Sequence, residues 1–338
     1  MRLDTAWLGQ DLRAMDALAP RVEAMGFEGL WISEAQHDPY LPLVTAAART
    51  SRIDLGTAIA TVFSRSPMIT AQLAWDLQHA SAGRFILGLG TQVKAHNERR
   101  FSVPFEAPGP KMREAILAIR AIWECWQNGT PLNFKGQYYR FDVMTPFFNP
   151  GPIAHPHVPI WIAGVNPYMC RLAGELCEGL HVHPLNSPTY LRQVVLPAVE
   201  AGLAASGRAR SEIALFAPLL TVVGDSEEER AAAREVVRRQ IAMYGSTRTY
   251  QRVLAVHGWE DLAPRLHEKS VRGDWDGMTA LVTDEVVDTY AVTGTCATIG
   301  RVIRERYEGL LDRCAFYHLV QPGLDDSRWP DIFTSFRA

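Results

Sequence analysis

Ile53-Asp-Leu-Gly-Thr-Ala-Ile-Ala60, Ser66-Pro67 and Arg84-Phe-Ile-Leu-Gly-Leu-Gly90 are the stretches that decide how this chain folds. The first is a short apolar run and reads as a strand. Ser66-Pro67 places an N-cap hydroxyl before a proline at the first helical position, so a helix opens there. The third stretch, Arg84 to Gly90, is the next strand. Strand, helix and strand in that order make one parallel crossover unit.

The same unit recurs on both sides. Leu3 to Leu8 reads as a strand and Asp11 to Met25 as its helix, with Leu12, Met15, Leu18, Val22 and Met25 on one apolar face. Gly26 stands where a left-handed C-cap belongs. Gly29 to Glu34 is the second strand, and Leu41 to Thr50 the helix behind it. Met112 to Trp126 is the helix of the fourth unit. Gln137 to Asp142 reads as a short strand outside the repeat, and 145–159 as a loop rich in proline, glycine and aromatics. Pro159 to Gly164, Gly179 to His183, Ile213 to Val223 and Arg313 to Val320 complete a set of eight strands. Helices follow from Pro167, over Pro188 to Ala205, over 226–244 and over Cys296 to Tyr307, with further short helices in 247–290. Eight alternating units with no shift of composition favour an α/β fold closed as a (β/α)8 TIM barrel over an open doubly wound sheet. The expectation is one domain over 1–338, with insertions around 136–158 and 245–290.

Composition narrows the function. The 338 residues are 47% hydrophobic and 21% charged, ordinary for a globular protein, and the formal charge of −3 gives no basic surface for nucleic acid. Cys125, Cys170, Cys177, Cys296 and Cys314 are odd in number and contain no C-x-x-C pair. They argue against a disulfide framework or a zinc ribbon, and fit buried, reduced thiols of a cytoplasmic enzyme. Cys170 and Cys177 are expected on one face of a helix. There is no signal-peptide pattern at the N-terminus and no charge-free apolar run long enough to span a bilayer. The partner expected is therefore a small molecule rather than nucleic acid or a membrane.

Function in such barrels sits at the carboxyl ends of the strands. That rule selects Glu34, Gln36, His37 and Asp38 after strand two; Thr61, Phe63 and Arg65 after strand three; Thr91, Gln92, Lys94, His96, Asn97, Arg99 and Arg100 after strand four; Gly164 and Asn166 after strand five; and His181 and His183 at strand six. Gly88-Leu-Gly90 begins like a dinucleotide fingerprint, but Val93 stands at the third glycine position. No Walker A, His-Glu-x-x-His or Gly-x-Ser-x-Gly motif occurs. In Ala163-Gly-Val-Asn-Pro167 a strand ends and a helix begins, so free N–H groups and the helix dipole suit either a phosphate or ordinary capping. His181 and His183 alternate on a strand and face one side. Metal-dependent barrel hydrolases use such a pair on their first strand with further ligands, and His155 and His157 supply no clear third one, so packed or substrate-facing histidines fit better and no metal site is expected. Glu34 and His37 form a titratable pair suited to proton transfer or to a structural hydrogen bond.

Glu34-Ala-Gln-His-Asp-Pro39, Arg52-Ile-Asp-Leu-Gly-Thr57, Arg65-Ser-Pro67, Gly83-Arg-Phe-Ile-Leu-Gly-Leu-Gly90 and Ala173-Gly-Glu-Leu-Cys-Glu-Gly179 resemble the bacterial luciferase-like monooxygenase superfamily. Gly90-Thr-Gln-Val-Lys-Ala-His-Asn-Glu-Arg-Arg-Phe101 and Met144-Thr-Pro-Phe-Phe-Asn-Pro-Gly-Pro152 are similar to its branch of oxidoreductases dependent on the deazaflavin coenzyme F420. The resemblance covers nearly the whole chain, and it is the order and spacing of the short motifs that make it specific. It implies a barrel with an insertion, often dimeric, and a cofactor lying across the strand ends with its ring over strand three. A cis peptide without proline is implied at Ala58-Ile59, and phosphate contacts at Gly164, Val165 and Asn166. The expected cofactor-binding positions are thus Ala58, Ile59, Thr61, Thr91, Gln92, Asn97, Gly164, Val165 and Asn166. The family's acidic or histidine position after strand two matches Glu34 and His37, the candidate catalytic acid and base, but Ala35-Gln36 separates them where many relatives have the two adjacent, which leaves open which of the pair faces the ring. The chemistry implied is hydride transfer between coenzyme F420 and a small organic substrate. Riboflavin phosphate (FMN) with oxygen chemistry is the alternative cofactor, and a non-catalytic flavin- or deazaflavin-binding protein the alternative class.

Overall fold

A computed structural model describes residues 1–8, 11–317 and 326–338. Its strands are β1 (Arg2–Trp7), β2 (Gly29–Ile32), β3 (Asp54–Thr57), β4 (Ala60–Thr61), β5 (Phe85–Gly90), β6 (Phe134–Lys135), β7 (Arg140–Phe141), β8 (Ile160–Gly164), β9 (Gly179–Val182), β10 (Ala214–Val223), β11 (Ala291–Gly294) and β12 (Arg313–Phe316). Strand order runs β12-β1-β2-β3-β5-β8-β9, and β10 pairs with both β9 and β12. The sheet is thus closed on itself, with helices between its strands: a (β/α)8 barrel. Of the ten strands in this sheet, β4 is attached to β5 and β11 to β10, while β6 and β7 form a separate antiparallel hairpin. Every residue of β2 and of β5 is buried, as expected of parallel strands covered on both faces.

Two compact units divide the chain. One comprises Trp7–Ala163 and Glu175–His181. Here β2, β3, β5 and β8 pair in parallel, with Trp31 opposite Gly56, Leu55 opposite Phe85 and Leu89 opposite Ile162. Trp31 and Trp161 lie with ring centroids 5.0 Å apart, and His181 meets Trp31 edge-on at 5.0 Å. Glycine makes room for these rings: a Cβ on Gly56 would stand 2.3 Å from Trp31, and one on Gly179 2.2 Å from Trp161. Outside the strands, the helix Pro67–Ala80 packs on Pro108–Asn128 through Trp75 and Trp123, stacked at 6.4 Å. Aromatic pairs of this kind add about 0.5–1.5 kcal/mol beyond their area burial.

The other unit comprises Met1–Ala6, Gly164–Gly174 and Val182–Ala338. β12 lies between β1 and β10, with Leu3 opposite Cys314 and Ala217 opposite the same residue on the other side. Arg313 Nε and Nη2 reach the two Asp4 carboxylate oxygens at 2.7 and 2.9 Å. Both side chains are almost wholly buried, so each charge depends on the other. The helix Glu227–Gly245 opens with a reciprocal capping box between Ser226 and Glu229.

The sequence reading holds for all eight barrel strands, with four amendments. The third strand is interrupted: β3 stops at Thr57, the Ala58-Ile59 bond is cis, and β4 resumes at Ala60. The strand expected over Gln137 to Asp142 shrinks to β7, and its partner β6 went unread because two-residue strands have no measurable period. β11 was also missed, since Ala-Val-Thr-Gly is too short to show alternation. The helix from Pro167 ends at Leu176, so Cys177 lies just beyond it; both cysteines are buried as expected. Gly26 is the left-handed C-cap, with φ 97°. Residues 318–320 of the eighth expected strand lie outside the described residues. Among the described residues, no helix is long and apolar enough to cross a membrane.

Candidate active site

Within the first unit, the carboxyl ends of β2, β3 and β4 meet around a carboxylate. Glu34 leaves β2 with its side chain only 6% exposed. Its Oε2 accepts from the Thr61 amide at 2.6 Å and from Arg65 Nη1 at 2.9 Å, and its Oε1 accepts from Arg65 Nη2 at 3.1 Å. Arg65 Nη2 also reaches Asp38 Oδ2 at 2.7 Å. Asp38 Oδ1 in turn accepts from the amides of Tyr40 and Leu41, at the start of the helix Leu41–Arg49. One guanidinium therefore bridges two carboxylates, and a buried tyrosine ring lies 5.4 Å beneath it. Burial and the charges of Glu34 and Asp38 push the Tyr40 phenol up, against the opposing pull of Arg65.

This arrangement separates the two residues that the sequence paired. As the residues stand, Glu34 Oε2 is bonded to Thr61 and Arg65 and Oε1 to Arg65, with no bond to His37. His37 is exposed and engages none of these groups. Arg65 was among the strand-end residues, but its tie to Glu34 could not be read across an intervening strand and helix.

The neighbouring backbone is held by side chains. Ser33 Oγ donates to the Ala58 carbonyl at 2.9 Å, and the Ala58 amide donates to the Ile32 carbonyl at 2.8 Å. The Ile59 side chain packs over Gly90, where an added Cβ would meet its Cδ1 at 2.4 Å. After β5 the chain turns through Gln92, at φ 57°, into the short helix Lys94–Arg99. Asn97, fully buried, donates through Nδ2 to the carbonyls of Thr91 and Val93 at 2.8 and 3.1 Å. Thr61 Oγ1 and Asn97 Oδ1 are both buried without a hydrogen-bond partner among the described residues. Of the expected cofactor positions, Ala58, Ile59, Thr61, Thr91, Gln92 and Asn97 thus stand together at the ends of β3, β4 and β5.

Gly164, Val165 and Asn166 belong to the second unit, in the turn from β8 into the ten-residue helix Pro167–Leu176. The Val165 carbonyl accepts from the Tyr190 hydroxyl at 2.5 Å, and Asn166 Nδ2 donates to the Thr249 carbonyl at 3.3 Å. The Asn166 side chain is therefore used to hold Thr249 and does not cap the helix. The amides of Val165 and Asn166 donate to no acceptor among the described residues. Two free donors before a helix start, with its dipole behind them, are the kind of arrangement that suits an anion or an ordinary cap.

The two histidines of the sixth strand have different surroundings. His181 ends in the tryptophan pair described above. His183 lies one residue beyond β9 and packs against Tyr250 at 4.2 Å and Tyr244 at 4.5 Å, while the Tyr244 hydroxyl bonds that of Tyr317. Burial pushes the His183 pKa down to about 3. Among the described residues, no group of three or more His, Cys, Asp or Glu is placed to hold a metal. The three tyrosines were not singled out from the sequence; Tyr317, directly after the last barrel strand, is the one that the strand-end rule reaches.

A family profile described as luciferase-like monooxygenase matches residues 3–313. An uncharacterized protein of Mycobacterium tuberculosis is 47% identical over 313 residues, covering 93% of this chain and 92% of its own length. The 5,10-methylenetetrahydromethanopterin reductase of Archaeoglobus fulgidus is 31% identical over 281 residues, covering 81% and 80%. Among solved structures, the coenzyme F420 dependent tetrahydromethanopterin reductase from Methanopyrus kandleri superposes with a TM-score of 0.78 at 23% identity, over 98% of this chain and 96% of that one. On the strength of the profile match, the Archaeoglobus relative and the shared barrel, the chain belongs to the luciferase-like monooxygenase family.

Proposed function

We propose that this protein is a coenzyme F420-dependent oxidoreductase, transferring a hydride between the deazaflavin and a small organic substrate. The observation that carries the reading is the pair of free amides at Val165 and Asn166, ahead of the helix Pro167–Leu176. They suit the phosphate of a flavin-like cofactor. The reductase names of the Archaeoglobus and Methanopyrus proteins, the latter F420 dependent, favour the deazaflavin. When bound, coenzyme F420 supplies a hydride donor or acceptor on its central ring.

The protein's residues would do the rest. Val165 and Asn166 would hold the phosphate through their amides, with Gly164 keeping the approach free of a side chain. Ala58, Ile59, Thr61, Thr91, Gln92 and Asn97 are the positions assigned to the ring. His37, exposed and unpaired with Glu34, would give the proton that a substrate needs after accepting hydride, or take it in the reverse direction. Glu34 would act as a positioning residue, fastening the end of β2 to β4 through Thr61 and to Arg65.

Fluorescence titration of the purified protein with coenzyme F420 and with riboflavin phosphate tests the assignment. Coenzyme F420 is expected to bind more tightly, and Gly164→Val to weaken it at least about tenfold while the circular dichroism stays that of the parent. A preference for riboflavin phosphate overturns the cofactor; unchanged affinity in folded Gly164→Val overturns the phosphate site.

A further inference from the structure

His183 has a fixed proton arrangement. Its Nδ1 accepts the Leu185 amide at 3.1 Å. A backbone amide can only donate, so the neutral imidazole must carry its hydrogen on Nε2. That N–H meets no acceptor among the described residues. Around it, the Tyr250 ring is tilted 30° from the imidazole plane, and Tyr244 stands edge-on at 82°. All three residues are half-buried, so the cluster is not sealed off from solvent. Among the described residues, no hydrogen bond or ion pair joins His183 to a charged side chain. Its titratable neighbours are phenols: Tyr244 and Tyr250 directly, and Tyr317 through its hydroxyl bond to Tyr244.

We infer that His183, flanked by Tyr244 and Tyr250, is a substrate-binding residue whose Nε2–H donates to the carbonyl oxygen of a flat, neutral substrate. The aromatic walls select an apolar, planar body. The single obligate donor selects an acceptor oxygen, and the absence of a charged partner disfavours a carboxylate. His183 holds and polarises the carbonyl and gives up no proton, since burial keeps its pKa near about 3. Burial also holds the Tyr244 phenol up and pushes that of Tyr250 up to about 12, so both stay neutral near pH 7. The inference rests on the oxidoreductase reading for the idea that the ligand is the substrate.

Two measurements on the full chain test it, neither containing coenzyme F420, so a failure of the cofactor assignment leaves them readable. Nitrogen-15 NMR of the histidine side chains should show His183 as the neutral Nε2–H form from pH 5 to pH 8. Acetophenone, the probe, should shift that resonance and bind saturably, while His183→Phe, which keeps a ring but loses the N–H, weakens it by roughly tenfold. Tyr250→Leu, which removes one wall, should also weaken it. Ethylbenzene, lacking the oxygen, should bind the parent and His183→Phe equally. A His183 that titrates near its ordinary value of about 6.5 overturns the inference. So does acetophenone that fails to bind the parent, or that binds His183→Phe or Tyr250→Leu as tightly as the parent.

Discussion

Replacing Arg65 by methionine removes the cation while keeping most of the apolar stem. The cost follows from which carboxylates lose a partner. Asp38 is 34% exposed and keeps its bonds to the Tyr40 and Leu41 amides, so its loss falls in the range of a surface pair, about 0–1 kcal/mol. Glu34 is different: at 6% exposure it keeps only the Thr61 amide, and a buried charge that loses its partner costs about 3–5 kcal/mol. The surviving amide bond places the total near the lower end, about 3 kcal/mol. Unfolding entropy of roughly 2.1 cal/mol/K per residue amounts to about 0.7 kcal/mol/K for this chain, so Tm should fall by about 4 °C. Glu34→Gln combined with Arg65→Met should cost less than the two single changes together, by at least about 1 kcal/mol. Calorimetry on the parent, both single variants and the double variant decides this. A fall in Tm of less than about 1 °C for Arg65→Met, or strict additivity, would refute the view that Glu34 is a buried charge needing Arg65.

If His37 exchanges the substrate proton, His37→Ala should slow single-turnover oxidation of the reduced cofactor by about 10²-fold or more with cofactor affinity little changed, and a loss of only severalfold would remove it from that role. The cysteines should be inert in the native protein. All five are buried, and burial pushes Cys296 up to about 11, Cys170 up to about 12 and Cys314 higher still, so at pH 8 the thiolate fraction of Cys170 is about 10⁻⁴. A thiol reagent at pH 8 should therefore label them only after denaturation, and rapid labelling of the native chain would contradict the packing.

The barrel was legible because its cause is local and repeated. Apolar runs such as Phe85 to Gly90, the Ser66-Pro67 helix start and the Gly26 cap each act within a few residues, and eight repetitions leave few folds open. The same locality marked Gly164 to Asn166 as a strand end followed by a helix start, which left phosphate binding and ordinary capping both open until the family resemblance favoured the phosphate. Ala58-Ile59 came from family resemblance alone, because nothing in two apolar side chains favours a cis bond. What the tertiary structure decided was partnership. Glu34 and His37 are three residues apart and chemically matched, yet Arg65, brought alongside by a strand and a turn, takes the carboxylate and leaves the imidazole exposed. His181 and His183 sit two apart, yet one packs between tryptophans and the other among tyrosines more than sixty residues away in the chain. A side chain's chemistry depends on its nearest charges, donors and rings, and in a closed barrel those arrive from strands far apart in sequence, where no periodicity records them.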